Sequence, residues 1–153
     1  MKNLYRKIGI WMFPILLPLM RLFLNRSDRV YVAIIYNGKV LLVKNWLARD
    51  TWRLPGGGVN KGEEPEKTAI REVKEELRLV LNASDLKLLF SGKGGVDGMN
   101  YPYKVFVYNI NIFPKVFPDN YEIVDFGLFD SIPDDASPDM AEVFKRLNIL
   151  ELV

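Results

Sequence analysis

Residues Gly57 to Leu79 read GGVNKGEEPEKTAIREVKEELRL, and their spacing decides how the rest of the chain is organised. At roughly 100° per residue, a helix through this stretch sets Glu76 at about +40° and Glu75 at about −60° from Glu72. Three carboxylates then share one arc, where like charges three and four residues apart repel. A divalent cation offsets that repulsion. An all-oxygen cluster suits a hard ion such as Mg2+ or Mn2+, which keeps several waters and shares its coordination with substrate phosphates. The pattern points to a site for a metal-bound diphosphate.

The same stretch shows how the cluster is held. Ile70, Val73 and Leu77 recur at i, i+3 and i+7 and, with Ala69, form an apolar arc beside the acidic one. One edge of the helix packs and the other faces a cleft. Gly62 closes the preceding loop, and Pro65 suits a first turn that needs no amide donor. Glu63, Glu64 and Glu66 lie at the positive end of the helix dipole. Upstream, Leu54-Pro55-Gly56-Gly57-Gly58 brings bare backbone close to a ligand that side chains would keep away.

With its fixed intervals, G-x5-E-x7-R-E-V-K-E-E-L-R-L, the stretch resembles the Nudix box of the Nudix hydrolases, G-x5-E-x7-R-E-U-x-E-E-x-G-U with U aliphatic. Gly57, Glu63, Arg71, Glu72, Glu75 and Glu76 match, and Val73 and Leu79 fill aliphatic positions. Arg78 stands where the family has glycine, which ends a helix in the left-handed conformation without a Cβ penalty. The expectation is therefore a helix that runs one more turn, to Asn82, with the carboxylates N-terminal to the change unaffected. The resemblance implies an α/β fold, the Nudix-type α/β/α sandwich with a mixed sheet, over residues 29–153.

A chain of 153 residues is long enough for one domain with a proper core. It has no cysteine and no histidine, which excludes disulfides, thiolate metal sites, a cysteine nucleophile and an imidazole base. Acid–base work near neutral pH falls to carboxylates, tyrosines or lysines. The net charge of +2 divides into +5 over residues 1–30 and −3 over the remainder. Residues 1–28 form an apolar, basic-flanked segment. Ile8 to Met20 is apolar throughout but short for a span and interrupted by Pro14 and Pro18, and no small-x-small cleavage site follows. We expect a packed or interfacial element, a membrane-surface anchor being its functional form. The corresponding location is cytoplasmic, peripheral to the membrane.

From Arg29 onward the pattern predicts strands at Val30–Ile35 and Lys39–Lys44 around an Asn37-Gly38 hairpin, and a short strand at Trp52–Leu54 running into the glycine loop. A helix follows over about residues 65–79. Strands at Leu86–Ser91, Tyr103–Ile112 and Ile123–Phe129 come next, and a last helix opens at Ser137-Pro138.

Carried over by position, the resemblance makes Glu72, Glu75 and Glu76 metal ligands, joined by the Gly56 carbonyl, and pairs Glu63 with Arg71 to brace loop against helix. The metal would be Mg2+, with Mn2+ as a substitute. For the general base, beyond the box glutamates, Glu122 is the first candidate and Asp97 and Asp119 come after it, although loop carboxylates are most often merely solvated. Gly57, Gly58, Arg53 and Lys93 are the substrate-binding candidates. Trp46, Trp52, Tyr101 and Tyr103 are available to stack on a base, though aromatics in strands are more often core. The implied reaction is hydrolysis of a diphosphate linkage, in a nucleoside diphosphate derivative or a nucleoside triphosphate, by water attack on phosphorus. A nucleotide-binding module without catalysis, associated with a membrane, is the alternative. Expected partners are a nucleotide or nucleotide-linked small molecule, a membrane surface contacted through residues 1–28, and a second copy of the chain in a homodimer.

Overall fold

The computed structural model describes residues 28–45, 51–94, 100–113 and 122–152. The expectations for the N-terminal segment, for Trp46, and for Asp97 and Asp119 lie outside them. Strands β1 (Arg29–Tyr36) and β2 (Lys39–Asn45) open the fold, joined through Asn37 and Gly38. Both turn residues have positive φ, 49° and 70°, which is the geometry a two-residue hairpin demands. Then come β3 (Gly56–Gly58), α1 (Pro65–Leu77), a 3-10 turn at Ala83–Asp85, β4 (Lys87–Gly94), β5 (Tyr101–Ile110), β6 (Ile123–Phe129) and α2 (Met140–Ile149). Among the described residues no helix is long and apolar enough to cross a membrane.

The sheet runs β4-β5-β1-β2-β6, with β3 paired to β1. Only β1 and β5 are parallel, so the sheet is mixed. β1 and β2 pair next to their hairpin, from Ile34↔Leu41 to Tyr36↔Lys39. Beyond that point the segment 52–58 is bonded to both. Arg53 exchanges backbone hydrogen bonds of 2.9 and 3.1 Å with Val43, and the Val32 amide donates to the Pro55 carbonyl at 2.9 Å. Gly56 to Gly58 then pair with Tyr31 to Arg29. The glycine-rich run expected as a loop is thus a strand, while Trp52 and Arg53 make only isolated bridges. A Cβ on Gly56 would stand 2.1 Å from the Val30 carbonyl oxygen, so glycine is what lets this segment close against β1.

Alternation along the strands divides the core between two faces. Val30, Val32, Ile34, Leu41, Val43, Phe106 and Ile123 pack against Ala69, Val73 and Leu77 of α1. Ala33, Ile35, Val40, Leu42, Val105 and Val107 pack against Met140, Val143, Phe144 and Leu147 of α2. Helix, sheet and helix form the expected α/β/α sandwich. On β6 the register passes from Lys44↔Asp125 to Asn45↔Ile123, leaving Val124 as an extra residue. Such a bulge reverses which face the next side chain meets. Ile123 therefore joins the α1-side core, and Glu122 precedes it at the same end of the sheet.

The strands expected at Leu86–Ser91 and Tyr103–Ile112 run over Lys87–Gly94 and Tyr101–Ile110, and two expected helix boundaries move as well. α1 ends at Leu77, and Arg78 adopts the left-handed conformation itself, φ 60° and ψ 21°, with its amide donating to the Lys74 carbonyl. The extra turn to Asn82 does not form; Leu79 and Leu81 instead turn into the core, and Asn82 caps the 3-10 turn by accepting from the Ser84 amide. Burying two leucines outweighs the cost of a left-handed arginine, roughly 1–2 kcal/mol, because each buried leucine contributes about 1.5–3 kcal/mol. The last helix starts at Met140, after Ser137 has hydrogen-bonded to Asp139.

Candidate active site

α1 lies against β3, and Gly57 marks the closest approach: a Cβ there would sit 2.5 Å from the carboxylate of Glu72. Arg71 is the hub of the acidic face. Its Nε and Nη2 donate to the two oxygens of Glu63 at 2.9 and 3.0 Å, a bidentate pair. Nη1 donates to Glu72 at 2.8 Å and to Glu75 at 3.0 Å, and Nη2 also donates to the Gly58 carbonyl at 3.1 Å. One guanidinium therefore ties strand, loop and helix together. The bond from Arg71, helped by the Asn60 amide, holds the Glu63 carboxyl down at about 2.

Glu76 is placed differently. It is 2% exposed and accepts from the Gly56 amide at 2.9 Å. Burial pushes its carboxyl well above the usual range, and the charges of Glu122 and Glu72 push the same way; the Gly56 amide and the Asn45 side chain oppose them. Burial also raises Glu72, against the pull of Arg71 and, more weakly, of Arg29. Glu75 is 59% exposed at its side chain and is held by Arg71. No group of three acidic side chains among the described residues converges as a ready-made metal site, because Arg71 draws Glu72 and Glu75 while Glu76 faces the Gly56 amide. The donors still fit a hard divalent cation. All are oxygens, and Glu76 gathers two like charges around a buried carboxylate.

Glu122 is brought to this cluster, and the residue between it and Glu76 is Asn45, whose Nδ2 lies 3.5 Å from Glu122 Oε1. The Asn45 Oδ1 is buried with no partner. Reading the strand residue by residue had not singled out Asn45. The signal is its parity: counted from Leu41 and Val43, an asparagine ends the row of side chains that faces α1.

On the opposite face of the sheet, Tyr31, Arg53, Gly94, Tyr101, Tyr103, Ser137 and Asp139 line a shallow cleft that opens to solvent. The Tyr31 and Tyr101 hydroxyls are 3.2 Å apart, and Tyr103 meets Tyr31 edge-on at 6.1 Å. Gly92 and Gly94 leave room for Tyr103, whose ring a Cβ on Gly92 would meet at 2.7 Å. Arg29 lies over the Tyr101 ring at 5.5 Å. Of the candidate stacking residues, Tyr101 and Tyr103 reach the cleft. Trp52 packs against Phe129 at 4.8 Å with Lys44 over its ring. Lys93 sits on β4 opposite Pro102 and is exposed; it does not line the cleft. Gly58 has open space where a side chain would be.

Comparison with known proteins adds four findings. The NUDIX domain family model matches residues 26–124. An RNA pyrophosphohydrolase of Actinobacillus succinogenes is 38% identical over 56 residues, covering 37% of this chain and 27% of that protein. An ADP-ribose pyrophosphatase of Bacillus subtilis is 44% identical over 48 residues, covering 29% and 26%. The matches thus span about a quarter of the length of these curated relatives. Among solved structures, the MutT NUDIX hydrolase from Burkholderia pseudomallei superposes with a TM-score of 0.70 at 23% identity, over 79% of this chain and 97% of that one, a likeness of fold.

Proposed function

Because this chain belongs to the NUDIX domain family, we propose that it is a metal-dependent pyrophosphohydrolase, cleaving a diphosphate linkage in a nucleoside diphosphate derivative or a nucleoside triphosphate by water attack on phosphorus. The observation that carries this reading is the burial of Glu76 beside Glu72 and Glu122. Like charges gathered around a buried carboxylate destabilise a fold, so a cluster of this kind is explained by a cation that offsets it.

Glu72, Glu75 and Glu76, with the Gly56 carbonyl, would hold Mg2+ or Mn2+. Such an ion, when bound, neutralises phosphate charge and lowers the pKa of a coordinated water. The chain's own residues do the rest. Arg71 keeps Glu63 and the Gly58 carbonyl fixed relative to the helix, so the carboxylates hold their spacing. Gly57 and Gly58 leave the approach to Glu72 unobstructed by side chains. Glu122 is the base, taking the proton of the attacking water on a carboxylate oxygen, with Asn45 orienting it. The relatives' names include an ADP-ribose pyrophosphatase and an RNA pyrophosphohydrolase, so a nucleotide-linked diphosphate is the substrate class to try first.

The test is a panel of nucleoside triphosphates and nucleoside-diphosphate-linked compounds incubated with Mg2+ and, in parallel, with EDTA. Hydrolysis of at least one member with Mg2+ and none with EDTA is expected. Binding without product release across the panel would overturn the catalytic reading in favour of a binding module.

A further inference from the structure

The described residues include Arg29, Arg53, Arg71, Arg78 and Arg146, and they differ sharply in what neutralises them. Arg71 meets Glu63, Glu72 and Glu75. Arg146 pairs with Glu142 at 2.6 Å, and Arg78 is exposed. Arg29 and Arg53 are the exceptions. Each has a buried Nε with no hydrogen-bond partner, and neither forms an ion pair among the described residues. Their hydrogen-bond and ring contacts are to neutral groups, Arg53 Nη2 to the Thr51 hydroxyl at 3.4 Å and Arg29 to the Tyr31 hydroxyl and the Tyr101 ring, and Arg29 also feels the charge of Glu72. A guanidinium does not shed its proton in a protein, so the two together offer positive charge and free donors to an incoming anion.

Their position says which anion. The charges of both guanidiniums act on the Tyr31 hydroxyl. Arg53 lines the tyrosine cleft, while Arg29 is close enough to Glu72 to influence its charge. The pair therefore bridges the open end of the sheet, from the acidic cluster on the α1 face to the cleft on the α2 face. The same cleft also carries Asp139, hydrogen-bonded to Ser137. A carboxylate there repels a phosphate and accepts from a hydroxyl or N–H. The anion thus belongs at the arginines, with an uncharged ring against the tyrosines beyond it.

We propose that Arg29 and Arg53 bind a phosphate lying between the acidic cluster and the tyrosine cleft, in addition to the two phosphates of the scissile linkage, so that the preferred substrate class carries three linked phosphates and not a sugar-linked diphosphate. This rests on the reading of the acidic cluster as the diphosphate site. Three phosphates in line satisfy both arginines and leave the organic group in the cleft. A diphosphate joined to a second sugar puts a neutral ribose where the arginines need charge.

ATP and ADP-ribose share adenosine and differ in this respect, so they are the probes, with tripolyphosphate as a third that lacks any ring. Binding is measured by calorimetry in Mg2+ on the Glu76→Gln protein, which keeps hydrolysis from competing. ATP is expected to bind at least roughly tenfold more tightly than ADP-ribose. Arg53→Gln in that background removes about tenfold from ATP and less than about twofold from ADP-ribose, and Arg53→Lys restores part of the loss because it keeps the charge. Tripolyphosphate raises the thermal midpoint of the Glu76→Gln protein, and this rise shrinks with Arg29→Gln. Should Arg29→Gln fail to fold, the Arg53 pair of variants decides alone. Equal affinity for ATP and ADP-ribose, or an Arg53→Gln loss common to both, overturns the proposal. Hydrolysis by the unmodified chain separates the two readings: arginine-dependent ATP binding without any hydrolysis sinks the catalytic reading only, and ATP hydrolysis indifferent to Arg53→Gln sinks the third-phosphate site only.

Discussion

On the α1 face of the sheet, Arg71, Glu72, Glu75 and Glu76 come from a single turn and a half of helix, whereas the cleft on the α2 face takes Tyr31 from β1, Arg53 from the segment before β3, Tyr101 and Tyr103 from β5, and Asp139 from the approach to α2. Helical periodicity alone assembles the first. The second exists only once β1 and β5 are in parallel register, with Tyr31 opposite Val105 and Arg29 opposite Tyr103. The two also differ in what they cost the fold. The α1 side gathers negative charge around a buried glutamate, and the α2 side gathers aromatic rings that pack on one another. The carboxylates gathered on one face of α1 thus carry electrostatic strain, while the rings packed around the cleft stabilise the fold.

The largest expected effect separates these two costs in one residue. Glu76→Gln is nearly isosteric and still accepts from the Gly56 amide, but it is a poor ligand; turnover should fall at least roughly 100-fold. Glu72→Gln should do likewise. In EDTA, however, Glu76→Gln should be more stable than the parent, by about 1 kcal/mol or some 2–4 °C in thermal midpoint. The sign follows from the raised carboxyl. Above its folded pKa the buried carboxylate is charged and destabilising, and the penalty is relieved as pH falls through that value toward the ordinary carboxylate range. The advantage of the glutamine variant should therefore be largest at neutral pH and shrink on acidification. Thermal melts across pH, paired with turnover in Mg2+, check both halves. A glutamine variant less stable than the parent at pH 7 in EDTA would erase the contrast between the faces.

Arg71→Ala should move stability the other way, by about 2 kcal/mol downward, because it strands Glu63, Glu72 and Glu75 together and leaves the Gly58 carbonyl without its donor. Urea denaturation is the measurement. A loss no greater than that of an exposed arginine substitution would mean that the hub does not hold the loop to the helix. Glu63→Gln probes the same contact through pH. With the Glu63 carboxyl held at about 2 by Arg71, its contribution is fully present above the ordinary glutamate range and fades as pH falls toward 2. The parent should exceed the glutamine variant in stability at pH 6, and the two curves should converge at the acid end. Parallel curves would assign the loss to packing and not to charge.

Much of the α1 side was legible because its information is local. Fixed intervals from Gly57 to Glu76 placed three carboxylates on one arc, and the apolar arc at Ile70, Val73 and Leu77 said which way the helix faces. What was not legible depends on pairing. The glycine run became a strand because β1, beyond its short pairing with β2, left it backbone partners, which no local propensity encodes. Glu122 and Asn45 meet because Val124 is bulged out, a one-residue irregularity with no signal in an apolar strand pattern. Lys93, attractive beside so many glycines, lies on a strand whose register turns those glycines, and not the lysine, toward the cleft.

The smallest effect concerns Arg78, the one departure from the family's box. Its left-handed backbone is where a Cβ is disfavoured by roughly 1–2 kcal/mol, yet the chain needs that conformation to send Leu79 and Leu81 into the core. Arg78→Gly removes the strain but loosens the unfolded chain, which offsets about 0.4–1 kcal/mol, and gives up a cation at the negative end of the helix dipole. The balance should still favour glycine by about 0.5 kcal/mol, or 1–2 °C in thermal midpoint, with turnover unchanged because the carboxylates lie N-terminal to the exit. Arg78→Ala is the discriminating partner. It discards the same charge while keeping the Cβ, so it should be less stable than both parent and glycine variant. Equal midpoints for alanine and glycine would show that the helix exit is set by the burial of Leu79 and Leu81 alone, with the backbone strain too small to matter.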